Sequence, residues 1–149
     1  MNTGNRPTRI LFVCHGNICR SPMAEYIMRH LVSEAHREAE FEIASAATST
    51  EEIGCPVYPP ARRKLAEHGI RCDGHAAHQI TRQEYAYYDL ILCMDRNNLR
   101  NLDRLLGGDP DGKVRMLLDR DVADPWYTGD FEATWRDCLR GCRQILDEL

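Results

Sequence analysis

The sequence predicts an α/β protein: a doubly wound, four-stranded parallel sheet with helices on both faces. Short apolar runs without polar alternation indicate strands that are covered on both sides, as in parallel sheets. Segments with helical spacing lie between these runs, and this alternation is typical of parallel βαβ units. A length of 149 residues suits one hydrophobic core, so we expect a single domain over residues 1–149.

The first unit combines a strand, a short loop and a helix. Residues 10–13 are an apolar run that follows a predicted flexible lead-in at residues 1–8. Ser21 and Pro22 predict a helix with serine at the N-cap and proline at the first helical position. Its outward positions are expected to be Glu25, Arg29 and Glu34. Its apolar stripe is Ala24, Ile27, Met28, Leu31, Val32 and Ala35.

Three more strands follow. We predict them at residues 41–46, 90–94 and 114–118, where β-branched and other apolar residues cluster. Ligands of such sheets bind beyond the carboxyl ends of the strands. The first strand ends at Cys14, which therefore marks the expected site.

Helices separate these strands. They are predicted at residues 60–68, closed by Gly69, at 81–88, and at 97–106, where Gly107 and Gly108 stop the helix. Asp130 is expected to cap a last helix. The apolar stripe of that helix is Phe131, Trp135, Cys138, Leu139, Cys142, Ile145, Leu146 and Leu149.

Composition and charge exclude several classes of protein. The net charge of −4 and the pI of about 5.8 give no general attraction to nucleic acid or to an anionic membrane, and we expect neither as a partner. The first residues lack the apolar run of a signal peptide, and no later run is long enough to span a bilayer. Seven cysteines, an odd number, argue against a disulfide framework. These features predict a cytoplasmic protein.

A seven-residue segment after the first strand has the form C-x5-R. Cys14 and Arg20 enclose His15, Gly16, Asn17, Ile18 and Cys19. A short loop ahead of a helix N-terminus can direct several backbone N–H groups at one anion. Gly16 leaves the loop unobstructed, and Asn17 tolerates the left-handed backbone conformation. The guanidinium of Arg20 can hold two phosphate oxygens at once.

The same surroundings favour a reactive cysteine. Helix N-termini and nearby cations stabilise the thiolate form of a thiol. We therefore expect Cys14 to be a thiolate nucleophile beneath a bound phosphate, with Ser21 donating a hydrogen bond to the sulfur. C-x5-R alone is common by chance, so this interpretation depends on the strand before it and the helix after it.

The segment from Cys14 to Glu25 resembles the phosphate-binding signature of the low-molecular-weight protein tyrosine phosphatases. The resemblance continues, in the family's order, through residues 45–49, 91–95 and 124–127, and so covers nearly the whole chain. It implies that the chain hydrolyses phosphotyrosine in proteins through a phosphocysteine intermediate and releases inorganic phosphate. It implies no cofactor and no metal ion.

The resemblance also assigns roles to residues outside the loop. Asp124, in an Asp-Pro-aromatic segment, is expected to be the general acid that protonates the leaving oxygen. Trp126 and Tyr127 are expected to form walls of the pocket. Where the family often has an aromatic wall residue, this chain has Glu51, which makes that wall less apolar. His15 is also unusual, and is expected either to add a donor or positive charge at the rim or to face solvent.

Two further residues are expected to support the loop. The resemblance implies that His75 braces the loop through residues such as Asn17 and Ser21, with Ser45 nearby. The family's usual arginine three positions after His75 is His78 here, so any salt bridge made by that arginine is either lost or dependent on pH. Cys72, His75 and His78 superficially suggest a metal site but lack a fourth ligand, and we expect none. The family carries paired cysteines at the positions of Cys14 and Cys19, and the curled loop can bring them close enough for a reversible disulfide after oxidation. The alternative is that Cys19 only lines the pocket.

Three other functions fit parts of the pattern. An arsenate reductase shares this kind of fold and loop but needs two further redox cysteines near the site, and only Cys72 and Cys93 are at hand. A protein-arginine phosphatase carries threonine where this chain has Ile18, whose apolar side chain favours aryl phosphates. A non-catalytic phosphotyrosine-binding module would need neither Cys14 nor Asp124.

Overall fold

The computed structural model describes residues 6–149 and confirms the predicted parallel sheet. Four strands lie in the order β2-β1-β3-β4, and every neighbouring pair is parallel. They are β1 (Thr8–Cys14), β2 (Phe41–Ala47), β3 (Leu90–Cys93) and β4 (Val114–Met116). Strand β1 pairs with both β2 and β3. In these two pairs, Cys14 lies opposite Ala47, and Val13 lies opposite Cys93. The carboxyl ends of β1, β2 and β3 therefore meet at one edge of the sheet.

Helices cover both faces of the sheet. They are α1 (Arg20–Glu34), α2 (Pro59–Glu67), α3 (Arg82–Tyr87), α4 (Arg96–Leu106), α5 (Pro125–Thr128) and α6 (Phe131–Glu148), with a short 3₁₀ turn at Glu38–Glu40. Alternate residues of β1 point to opposite faces, as the pleat of a strand requires. Ile10 and Phe12 pack with α1, α2 and α6, whereas Leu11 and Val13 pack with α3 and α4. No helix within residues 6–149 is both long enough and apolar enough to cross a bilayer.

Side-chain caps and a glycine mark several helix ends, and those at Asp130 and Gly107 are as predicted. Asp130 accepts a hydrogen bond from the backbone N–H of Ala133 at the start of α6. Thr81 and Glu84 form a reciprocal capping box at the start of α3. Gly107 ends α4 with a φ of 73°, a conformation that suits glycine. Local turn chemistry therefore determines most of the helix boundaries.

The predicted N-cap at Ser21 is wrong. The helix α1 begins at Arg20, its N-cap residue is Cys19, and no side chain caps it. Ser21 Oγ lies 3.0 Å from Cys14 Sγ instead, because the loop bends the first helical turn back over the end of β1. Serine is typical of N-caps, but Ser21 contacts the Cys14 sulfur here.

The expectation that Glu25 faces solvent is also wrong. Its side chain is 6% exposed, because it accepts hydrogen bonds from Ser45 Oγ at 2.5 Å and Arg29 Nη2 at 2.6 Å. Ala35 is exposed, because α1 ends at Glu34 and Ala35 is its C-cap. The apolar spacing of α1 does not reveal the polar contact, since it is made with a strand distant in sequence.

The remaining differences concern element ends. Strand β1 starts at Thr8 and Arg6 pairs with Asp89 at 2.6 Å, so the predicted lead-in does not extend as far as residue 8. Residues 1–5 of that lead-in lie outside the described residues. Strand β3 stops at Cys93, and β4 stops at Met116 because the chain turns away after pairing with Cys93.

Candidate active site

Cys14 lies at the floor of a cavity of about 110 Å³ beyond the carboxyl end of β1. Strand β1 places the sulfur there, and the loop at residues 15–19 wraps from it to the first turn of α1. The cavity is lined by Cys14, His15, Gly16, Ile18, Cys19, Arg20, Glu51, Glu52, Asp124, Trp126 and Tyr127. Residues from distant parts of the sequence thus meet at one opening.

Three groups surround the sulfur of Cys14 as potential hydrogen-bond donors. The backbone N–H groups of Asn17 and Ser21 donate to Sγ at 3.3 Å and 3.4 Å, and Ser21 Oγ lies at 3.0 Å. Hydrogen bonds to a charged form stabilise that form. A thiolate can only accept, so Ser21 donates its hydroxyl hydrogen when the sulfur is ionised. This arrangement is suited to a thiolate at position 14.

The loop leaves several backbone donors free to bind an anion. Within residues 6–149, the N–H groups of Gly16, Ile18 and Cys19 have no acceptor in the protein. A group of backbone N–H donors without protein acceptors in one loop is typical of an anion site. At Gly16 an added Cβ would lie 3.4 Å from Glu52 Cγ, so the surrounding protein does not itself exclude a side chain.

Asn17 holds the loop from inside. Its φ of 59° confirms the predicted left-handed conformation, and the residue is fully buried. Its amide nitrogen donates to Ser21 Oγ at 2.8 Å and to Ser45 Oγ at 2.9 Å, while its amide oxygen accepts from the N–H of His78. Each polar atom of this side chain therefore has a partner. These contacts stabilise the strained backbone conformation.

Ser45 connects the loop to the buried Glu25. Ser45 Oγ donates to Glu25 Oε1 at 2.5 Å, and Arg29 bridges the other carboxylate oxygen to the backbone carbonyl of Ile43. The network thus ties helix α1 to strand β2 beneath the loop. Glu25 was missed as a supporting residue. Its only sequence signal is its place at the end of the resembling segment.

His75 braces the loop from the outside. Its Nε2 lies 2.8 Å from the backbone oxygen of Asn17. A carbonyl oxygen only accepts, so this contact requires that Nε2 carries the hydrogen. The chain just after His75 runs beside the end of β2, where the N–H of Ala47 donates to the carbonyl of His78. The predicted contact between His75 and the loop is present.

Arg20 is buried between two carboxylates. Its Nη1 donates to Asp95 Oδ2 at 2.7 Å and to the carbonyl of Val122 at 2.8 Å, and its Nη2 lies 3.4 Å from Asp124 Oδ2. Burial by itself lowers the pKa of Arg20, but the negative groups at Cys14, Asp95 and Asp124 outweigh it and raise the pKa. The guanidinium is therefore a fixed cation at the cavity floor. Asp95, its closest anchor, was missed as a site residue, although it ends one of the resembling segments.

Asp124 caps the short helix α5 and faces the cavity. Its Oδ1 accepts from the N–H of Trp126 at 3.0 Å, and Oδ2 lies towards Arg20. The side chain is 26% exposed. One carboxyl oxygen thus accepts from the cap N–H, and the other makes a long contact of 3.4 Å with Arg20 at the edge of the cavity.

Aromatic and apolar side chains form part of the wall. Trp126 and Tyr127 line the cavity as predicted and are exposed. Tyr58, which the sequence did not indicate, supports Trp126 with ring centroids 5.0 Å apart. Ile18, which belongs to the loop at residues 15–19, also lines the cavity. This surface suits an aromatic ring that enters from solvent.

Cys19 lines the cavity but is 4% exposed. Burial and the neighbouring negative charge of Cys14 raise the pKa of Cys19 to about 12. Burial likewise raises the pKa of Cys93 to about 12. Cys19 is therefore a thiol at neutral pH. Cys72 and Cys93 do not line it.

The possible metal ligands are engaged elsewhere. His78 Nε2 contacts Glu84 Oε2 at 2.8 Å, and His75 contacts Asn17. The hydrogen bond to Glu84 raises the pKa of His78, as expected of a charge-dependent contact. Within residues 6–149, no group of three histidine, cysteine or acidic side chains is arranged to hold a metal ion.

Comparison with known proteins matches this geometry to one family. The family model described as low molecular weight phosphotyrosine protein phosphatase matches residues 9–149. The chain is 41% identical to the enzyme of that name from Rattus norvegicus, over 93% of this chain and 94% of the relative. The crystal structure of YfkJ from Bacillus subtilis is 36% identical and superposes with a TM-score of 0.94, covering 99% of this chain and 96% of that one.

A third relative shows that the fold also occurs with another substrate. The crystal structure of the Drosophila arginine phosphatase is 30% identical, with a TM-score of 0.85, and covers 93% of this chain and 96% of that chain. The family match and the 41% identity nevertheless extend over nearly the whole chain. The chain belongs to the low molecular weight phosphotyrosine protein phosphatase family.

Proposed function

We propose that the chain dephosphorylates phosphotyrosine in proteins through a phosphocysteine intermediate on Cys14, with Asp124 as general acid. The observation that carries this mechanism is the position of Cys14 Sγ. It lies among three potential donors on the floor of the cavity that Arg20 and Asp124 also line. A nucleophile, a phosphate-binding cation and a proton donor thus share one opening.

In the first step the Cys14 thiolate attacks phosphorus and the ester P–O bond breaks. The tyrosine oxygen leaves with the proton of Asp124, so no free phenolate forms. In the second step water attacks phosphorus, the S–P bond breaks, and the Asp124 carboxylate takes a proton from that water. Inorganic phosphate is released and the thiolate is restored.

The loop binds the transferred phosphoryl group in both steps. The free N–H groups of Gly16, Ile18 and Cys19 and the fork of Arg20 supply positive charge where the phosphate oxygens lie. His15 adds an imidazole at the rim. The sequence predicts Asn17 and Ser21 as substrate-binding residues and Ser45 and His75 as supporting residues. We propose that all four act as positioning residues, because they contact the loop or the sulfur and do not line the cavity. This distribution of charge requires no metal ion or other cofactor.

The three alternative functions fit the site less well. An arsenate reductase would need further cysteines near the nucleophile, but Cys14 and Cys19 are the cysteines that line the described cavity. An arginine phosphatase would have to accept a guanidinium against Ile18, which has no polar group to bind it. A binding module would need no acid, yet Asp124 faces the phosphate site.

A panel of substrates tests the proposal and its alternatives together. We expect turnover of phosphotyrosyl peptides, and little turnover of phosphoseryl or phosphoarginyl peptides or of arsenate with a thiol donor. Activity should persist in a metal chelator. Preference for phosphoarginine, or arsenate reduction that depends on the thiol, would replace the proposed substrate with the corresponding alternative.

Ile18→Thr tests the selectivity of the wall. Threonine replaces apolar bulk with a hydroxyl group that can accept a hydrogen bond from a guanidinium. We expect the ratio of phosphoarginine to phosphotyrosine turnover, measured as kcat/KM, to rise about 10-fold, the effect of roughly 1.4 kcal/mol in the transition state. An unchanged ratio would mean that Ile18 does not govern this choice.

We also propose that Cys19 protects Cys14 against irreversible oxidation. Peroxide converts the Cys14 thiolate to a sulfenic acid. The Cys19 thiol then attacks that sulfur, a disulfide forms, and water leaves. Since the pKa of Cys19 is raised to about 12, its thiolate is scarce at neutral pH and disulfide formation should accelerate as pH rises.

The Cys19→Ser variant measures this protection. It should retain turnover but regain little activity when a dithiol is added after peroxide treatment. Peptide mapping of the oxidised wild type should show a Cys14–Cys19 bridge. Equal recovery in the variant, or a bridge from Cys14 to another cysteine, would mean that Cys19 does not protect Cys14.

The compartment we propose is the cytoplasm. All seven cysteines are free thiols, including the partly exposed Cys55. Proteins of oxidising compartments usually pair such residues in disulfides. Phosphotyrosine-containing proteins of the cytoplasm are therefore the expected partners. We expect neither nucleic acid nor a membrane as a partner.

A further inference from the structure

A contact between His15 and Glu51 crosses part of the rim of the cavity. His15 Nε2 lies 3.2 Å from Glu51 Oε2, and both residues line the opening. Their side chains are 47% and 68% exposed, so both are accessible to a bound substrate protein. The structure thus shows that the Glu51 carboxylate binds an N–H donor at the mouth of the cavity.

This histidine is a replaceable partner for Glu51, because the contact between them is exposed. An exposed pair also exchanges readily with solvent and contributes little energy. A cationic side chain of the substrate can therefore replace His15 beside Glu51.

The other charges of the cavity favour the same kind of substrate. Glu52 and Asp124 also line it, and the cation Arg20 is buried at the floor between Asp95 and Asp124. The stem of Glu52 lies beside Gly16. Glu51 is the more exposed of the two glutamates. The floor is thus suited to phosphate, and the rim is negative.

We propose that Glu51 selects phosphotyrosine sites that carry a lysine or arginine close to the phosphotyrosine. The substrate cation takes the position that the His15 imidazole occupies in the free enzyme, while the phosphate lies on the loop below. This inference rests on the proposed phosphotyrosine activity and specifies which phosphoproteins the site prefers.

Matched peptides test the preference. Three phosphotyrosyl peptides differ only in two positions beside the phosphotyrosine, which hold lysine, glutamine or glutamate. At low salt we expect kcat/KM for the lysine peptide to exceed that for the glutamate peptide by about 3- to 10-fold, since exposed ion pairs contribute modestly. The ratio should fall towards 1 as ionic strength rises.

Substitutions at Glu51 test whether this residue causes the preference for the lysine peptide. Glu51→Gln should reduce the lysine-to-glutamate ratio about 2- to 5-fold, and Glu51→Lys should reverse the preference. Glu34→Gln is the matched control, because Glu34 forms an equivalent exposed pair with His30 at 3.4 Å at the far end of α1. It removes the same charge about 20 Å from the loop, given the rise of an α-helix. It should preserve the wild-type ratio.

Each result has a defined consequence. A wild-type ratio near 1, or a ratio that Glu51→Lys leaves unchanged, overturns the role of Glu51 while the phosphatase activity stands. A ratio that falls equally in Glu34→Gln also overturns it, because net charge would then explain the preference. If none of the three peptides is hydrolysed, the proposed function itself is contradicted.

Discussion

Cys14→Ser is expected to abolish turnover, with a loss on the order of 10⁶-fold in kcat, as for other enzymes that lose a covalent nucleophile. The serine hydroxyl would lie near the same three donors but would remain protonated, because those donors stabilise an anion that a hydroxyl does not readily form. Steady-state kinetics with an aryl phosphate measures the loss.

The fold and the phosphate site should survive this substitution. The introduced serine is close in size to the cysteine that it replaces at the end of β1, and Arg20 and the free N–H groups of the loop remain. Calorimetric titration with inorganic phosphate should therefore still detect binding. The matched control is Cys55→Ser, which changes the same atom at a partly exposed position outside the cavity lining. It should keep wild-type turnover.

Rapid mixing of the wild type tests the intermediate directly. If the phosphoryl group passes to Cys14, the phenol should appear in a burst when hydrolysis of the intermediate is slow. Trapping with acid should leave phosphate on the peptide that contains Cys14. Substantial turnover in Cys14→Ser, or phosphate trapped on another residue, would refute the covalent mechanism.

The fold could be predicted from the sequence because its signals are local. The apolar run of β1, the cap at Asp130 and the glycine after α4 each act within a few residues, and the structure confirms them. The left-handed conformation of Asn17 is predictable for the same reason. Ser21 is the instructive failure. Its sequence context predicts a cap, but its hydroxyl lies beside the Cys14 sulfur.

The contacts missed within the site join segments distant along the chain. Arg20 and Asp95 become partners only because β1 and β3 are neighbours in the sheet, and Glu25 is buried only because Ser45 ends up beneath the loop. No local spacing encodes such pairs. The resemblance indicated the segments that contain Asp95 and Glu25, but their contacts with Arg20 and Ser45 follow from the topology.

Asp124→Asn is expected to slow hydrolysis of phenolic esters with poor leaving groups by about 10²–10⁴-fold, the usual contribution of a positioned general acid. Asparagine keeps the hydrogen bond to the N–H of Trp126, because its amide oxygen can replace Oδ1 as the cap of α5. The substitution therefore removes the transferable proton and one negative charge while it retains the local backbone.

Asp130→Asn is the matched control for both the cap and the charge. Asp130 caps α6 through a hydrogen bond of 2.9 Å to the N–H of Ala133, and it does not line the cavity. The control loses the same charge from the same kind of helix position. Its kcat should remain close to that of the wild type.

A series of aryl phosphates separates proton donation from other effects of Asp124. An acidic phenol leaves without a proton, so Asp124→Asn should slow such substrates much less than esters of ordinary phenols. A plot of log kcat/KM against leaving-group pKa should therefore be steeper for the variant than for the wild type. Asp124 also lies 3.4 Å from Arg20, and a change in that contact alone would alter phosphate binding for every substrate equally. Parallel plots would thus assign Asp124 to the orientation of Arg20, whereas diverging plots identify it as the acid.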